Sequence, residues 1–94
     1  MQEIVLSGAN WTTPDDFYEA LLPRLGAPDW HGHNLDALWD SITGGDINIV
    51  NPPFRIQING IDVMPSECKA LVDRVVTLFS EARAQGITVE TVCR

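Results

Sequence analysis

Phe54, Ile56 and Ile58 alternate with Arg55, Gln57 and Asn59, and stretches of helical period stand on both sides of this run. A two-residue period marks a strand with one face on a core and the other toward water. A strand bracketed by helices cannot pair through hairpins with the strands before and after it. It must reach them by crossovers, which makes them parallel and the connections right-handed.

The neighbouring segments fit that scheme. Residues 3 to 6 read as a short strand ending at Ser7-Gly8. Thr13 is expected to cap a first helix, with Pro14 at its first position and Asp15 and Asp16 at the positive end of its dipole. Phe17, Ala20, Leu21 and Leu25 supply its apolar stripe, Pro23 is expected to distort its last turn, and Gly26 closes it. After a loop, Asn34 caps a second helix in which Leu35, Leu38, Trp39 and Ile42 fall at i, i+3, i+4 and i+7. Thr43-Gly44-Gly45 ends it. A link containing Asn51-Pro52-Pro53 leads to the strand at 54–59, which Asn59-Gly60 stops. The spacing of Cys68, Leu71, Val72, Val75, Phe79 and Ala82 predicts a long helix over 66–85, closed by Gly86, and a last strand over 87–92. The expectation is one α/β domain, residues 1–94: a three-stranded parallel sheet packed by helices. The first strand is placed centrally, and one sheet face is only partly covered.

Charge narrows the function. Thirteen acidic residues face six basic ones, a formal net charge of −7. Such a surface repels phosphate backbones and anionic membranes, so neither nucleic acid nor membrane is expected as a partner. It suits a basic protein. No basic segment followed by a long apolar run opens the chain, so no signal peptide is expected. Cys68 and Cys93, without a C-x-x-C motif, read as free thiols of a reducing compartment. Together these predict a cytoplasmic protein.

The acids are unevenly placed. Asp29, Asp36, Asp40 and Asp46 lie in a stretch without Lys or Arg between Arg24 and Arg55. Asp36 and Asp40 share one flank of the second helix with Thr43, apart from its apolar stripe. Like charges at this spacing destabilise a helix by roughly 0.2–0.5 kcal/mol, and Asp40 sits at the end where the dipole disfavours an anion. A solvated polar face is one reading. Carboxylates that await a cation on another molecule is the other, and the poorly placed Asp40 favours it. Trp30, His31 and His33 precede this helix, and exposed aromatics beside unpaired acids fit an interface. His31, His33, Asp36 and Asp40 could alternatively ligate zinc or a harder metal in a small metal-dependent enzyme, although H-x-H is a weak signal. No G-x-S-x-G, P-loop or H-E-x-x-H motif is present, so no catalytic residue, cofactor or metal is assigned.

The run P-D-W-H-G-H-N-L-D-A-L-W-D-S-I-T-G, residues 28 to 44, resembles the signature of the barstar family: an aromatic pair, then G-x-N-L-D-A-L-W-D and Thr-Gly. L-F-S-E-A-R-A-Q-G, residues 78 to 86, is similar to the family's last helix. The resemblance covers essentially the whole chain. It implies an inhibitor, not an enzyme, that binds guanyl-specific bacterial ribonucleases such as barnase in a 1:1 complex and is monomeric when free. It further implies that Asp40 takes the place of the substrate phosphate among the enzyme's catalytic Arg, Lys and His. Asp36 and Thr43 would add hydrogen bonds, Gly32 and Asn34 backbone-level contacts, Trp30 packing on the enzyme's histidine, and Glu81 an acid at the rim. His31, Leu35, Trp39 and Gly44, from the same motif, complete the expected partner-binding set. The chain departs from the pattern at His31 (the second aromatic), His33 (an acid), Gly45 (a large aromatic) and Gln85 (an acid), and its link between second helix and second strand is longer. These departures leave open a barstar-fold immunity or adaptor protein whose partner is not a ribonuclease.

Overall fold

A computed structural model describes residues Met1–Arg94. The chain runs β1 (Gln2–Ser7), α1 (Asp15–Leu25), α2 (Leu35–Thr43), β2 (Phe54–Asn59), a 3-10 turn (Ile61–Val63), α3 (Ser66–Ala84) and β3 (Val89–Cys93). The three strands form one parallel sheet in the order β1-β2-β3. Ile4 stands opposite Ile56, and Ile56 opposite Thr91. The expected α/β architecture of a three-stranded parallel sheet packed by helices is present.

The central strand is β2, not β1, which corrects the strand order. The physical reason lies in β2's own alternation. Two right-handed crossovers that step the same way across a sheet put all their helices on one face. A central β1 would reverse the step and cover both faces, burying the row Arg55, Gln57, Asn59. That row is instead half-buried, whereas Phe54, Ile56 and Ile58 are each 0% exposed. No residue of the outer face is buried, and there Arg55 bridges Glu3 and Glu90 at 3.3 and 3.2 Å.

The inner sheet face joins the helices in a single cluster of 21 buried apolar residues. Its helical members include most of the stripes read from the sequence, with Ala20, Leu35 and Trp39 only partly buried against it, together with Tyr18 and Leu22, which no stripe contained; Trp11, in the loop before α1, joins them. Phe54 and Phe79 meet edge to face at 6.1 Å across the β2–α3 contact, a geometry favoured by the ring quadrupoles.

The start of α1 also differs from expectation. Thr13 offers no side-chain cap. The Asp16 carboxylate reaches back and accepts the N–H groups of Thr12 at 2.7 Å and Thr13 at 3.1 Å. These two bonds hold its carboxyl below the ordinary value of 3.8. α1 continues through Pro23, which is itself exposed in the last turn and whose missing N–H costs a single bond. Gly26 then ends the helix at φ 66°. A Cβ there would lie 2.7 Å from the Cβ of Ile49, because residues 49 and 50 hydrogen-bond to the end of α1. This contact ties the long α2–β2 link to the body.

Candidate protein-binding site

α2 is short but firmly set. Asn34 is extended, and its Oδ1 accepts the N–H of Ala37 at 2.7 Å, the expected cap. A side chain at residue 32 would push on the capping carboxamide: a Cβ on Gly32 would lie 2.7 Å from Asn34 Nδ2. Leu38 at 0%, Ser41 at 2% and Ile42 at 3% exposure face inward, with Leu35 and Trp39 packed at the margin of the core.

The opposite flank carries Asp36 and Asp40, both exposed. Neither carboxylate takes part in any side-chain hydrogen bond or in the three ion pairs, which use only Glu3, Asp15 and Glu90 among the acids. The last turn of α2 has no basic residue. Thr43 closes the flank with its hydroxyl donating to the Trp39 carbonyl at 2.7 Å, so only its lone pairs remain for another molecule. Trp30 is 74% exposed, and Gly44 is exposed at the helix end. Glu81, on α3, is exposed and unpaired. It borders a shallow groove with Arg74, which also lines a groove beside Asp36 without pairing to it. Trp30, Asp36, Asp40 and Glu81 are thus all accessible.

The two histidines behave otherwise, which corrects the expectation of an exposed trio. His31 is 6% exposed; its Nδ1–H donates to the Gly32 carbonyl at 2.8 Å, and its buried Nε2 has no partner. It anchors the loop from within. The His33 ring stays exposed but turns onto α1. Its Nδ1 lies 2.6 Å from Asp15 Oδ1, and the ring stacks on Tyr18 at 5.8 Å with 20° between planes. An aromatic chain of Trp11, Phe17, Tyr18 and His33 therefore joins the loop to the core. This clamp was not legible in the sequence; Asp15 had been read only as a helix-dipole acid.

The alternative ligand set does not converge. His31 and His33 are committed to Gly32 and Asp15, and no group of three or more His, Cys, Asp or Glu side chains is arranged to hold a metal ion. No helix is long and apolar enough to cross a membrane.

Fold and surface together define a small α/β protein that presents an acidic, aromatic-flanked helix on an apolar core. The family follows from comparison. Residues 1–93 match the family model of barstar, described as a barnase inhibitor, and the chain belongs to the barstar family. Similarity extends to a Bacillus subtilis (strain 168) protein named "Putative ribonuclease inhibitor YrdF". That protein is 27% identical over 85 residues, which cover 90% of this chain and 89% of the other.

Proposed function

We propose that this protein is a cytoplasmic inhibitor, not an enzyme, which blocks a basic, guanyl-specific ribonuclease of the barnase type in a 1:1 complex. One observation carries the reading. Asp36 and Asp40 stand exposed, one turn apart, on a capped helix with no cation of their own. Family membership and the name of the Bacillus subtilis relative support the same role.

A ribonuclease active site is a cationic cleft built to stabilise phosphate charge. A rigid helix that offers carboxylates meets those cations at little cost in ordering, since cap, loop anchor and clamp have already fixed it. Asp40 stands for the phosphate; Asp36 and the lone pairs of Thr43 receive neighbouring donors. Trp30 packs beside them, Gly32, Asn34, Leu35, Trp39 and Gly44 shape the contact, and Glu81 sits at the rim. His31 serves from inside the loop. The net charge of −7 draws a basic enzyme in at long range.

Titration of barnase with the protein, followed by RNA cleavage, tests the reading. Activity should fall linearly to an end point at one equivalent. Undiminished cleavage at a several-fold excess, with barnase and with other guanyl-specific ribonucleases, would favour the adaptor role instead.

A further inference from the structure

A cleft of about 520 Å³ opens where α2 ends, between the α2–β2 link and the α3–β3 turn. Ile42, Pro52, Pro53 and Ile87 give it apolar walls, and Thr43 and Asp46 stand at the α2 side. The position after Thr43-Gly44, Gly45, contributes no side chain, and a Cβ there would meet nothing within 4 Å.

The electrostatics of this cleft have one sign. No Lys or Arg lines it. Arg83, the basic residue closest in sequence to its far wall, donates to the Val89 carbonyl at 2.9 Å. The carbonyls of Ser41, Ile42 and Thr43 accept no hydrogen bond, and the last turn of α2 holds no cation to offset the negative end of its dipole. Asp46 is exposed, outside the three ion pairs, and held at φ 61°. Aspartate is one of the few residues with a side chain that adopt this left-handed backbone readily.

We propose that this cleft receives an arginine side chain of the basic partner and forms a second anchor beside the Asp36–Asp40 flank. The aliphatic stem would lie on Ile87 and the Pro52-Pro53 wall. The planar guanidinium would donate to the Asp46 carboxylate and the open α2 carbonyls, a set of acceptors that its fork of donors fits better than a lysine ammonium does. The cleft shares Thr43 with the proposed ribonuclease-binding face, so both can be covered by one partner. The chemistry of the cleft stands by itself; the identity of the partner rests on the inhibitor reading.

Two arms test the proposal. In the first, acetyl-arginine methylamide is titrated into the free protein and followed through the amide NMR signals of Gly45, Asp46, Gly86 and Thr88. Saturable shifts are expected, absent with acetyl-glutamate methylamide and lost in Asp46→Asn, which tolerates the left-handed backbone, and in Thr88→Trp, which fills the cleft from an exposed position. No saturable shift, or the same response in Asp46→Asn, overturns the proposal. In the second arm, barnase is the probe. Asp46→Asn should weaken binding about fivefold, with Thr88→Trp weakening it at least as much. If Asp40→Ala weakens binding while both cleft variants match wild type, the cleft proposal fails and the inhibitor reading stands. If wild type binds neither barnase nor the other guanyl-specific ribonucleases, the inhibitor reading fails and the arginine titration decides the cleft.

Discussion

Replacing Asp40 by Asn should leave the free protein as stable as before, or slightly more so. The carboxylate is exposed, accepts no hydrogen bond and lies four residues after Asp36 in a helix that ends at Thr43. Neutralising it relieves a like-charge pair worth about 0.2–0.5 kcal/mol. It also relieves an anion at the negative end of the dipole, worth about 0.3–1 kcal/mol at low ionic strength. Solvent and salt screen both effects at so open a position, which leaves an expected gain of about 0.5 kcal/mol. Asp36→Asn separates the two contributions. It brings the same relief of repulsion but gives up a favourable anion in the first turn, so its net effect should lie near zero. Leu38→Ala, at a site with 0% exposure, should by contrast cost about 2–5 kcal/mol. Urea melts at low and moderate salt read all three. A loss of more than about 1 kcal/mol in Asp40→Asn, the worth of an ordinary hydrogen bond, would mean that the carboxylate holds the fold together. It would then not be a group kept free for a partner.

Asn34→Ala removes the cap of α2 and should cost about 1 kcal/mol in the same melts, and an unchanged midpoint would show that the loop alone fixes the helix start. The Asp16 carboxyl is held below its ordinary value by the Thr12 and Thr13 amides, so its contribution to stability is full above the unfolded-state value near 4. That contribution is lost as pH falls below it, through the lowered folded value, because the unfolded chain takes up the proton first. The stability difference between wild type and Asp16→Asn should therefore be constant at neutral pH and shrink in acid; a difference independent of pH down to the acid limit would show that the two amide bonds do not favour the ionised carboxyl.

Much of the architecture was legible because local chemistry decides it. The Asn34 cap, the Leu35/Leu38/Trp39/Ile42 stripe and the alternation of β2 each depend on residues within a few positions of one another, and each is found as read. The order of the strands depends on which face the crossovers cover. The half-polar outer row of β2 carried that information, but only once the handedness of both connections was applied to it. At Thr13 a good capping residue lost to an acid three residues later, whose carboxylate takes two amides at once. Of the surface, the accessibility of Asp36, Asp40 and Glu81 was readable from polarity and spacing, and that of Trp30 was expected only from its place beside unpaired acids. The inward turn of His31 and the hold of Asp15 and Tyr18 on His33 were not. The His33 contacts join residues 18 and 15 positions apart, where no periodicity reports on contact. Asp46 stood out in the sequence only as one of four acids; its place at a cleft comes from the packing of two distant turns.

The kinetics of Asp40→Ala and Glu81→Ala against barnase test the central claim most directly. If Asp40 fills the phosphate position of a desolvated cationic cleft, its removal strands buried cations. The cost should be about 2–5 kcal/mol or more, seen mainly as faster dissociation. Complexes of the barstar family are among those from which that range was drawn. Glu81→Ala should cost less and act chiefly on association, since water and salt screen a rim charge within about 8 Å at physiological ionic strength. Stopped-flow association and biosensor dissociation, repeated at rising salt, give both rates. The expected result is a large, dissociation-centred loss for Asp40→Ala, a small, association-centred one for Glu81→Ala, and wild-type association that slows as salt rises. Two equally mild variants, or association indifferent to salt, would contradict it and move the binding surface away from α2.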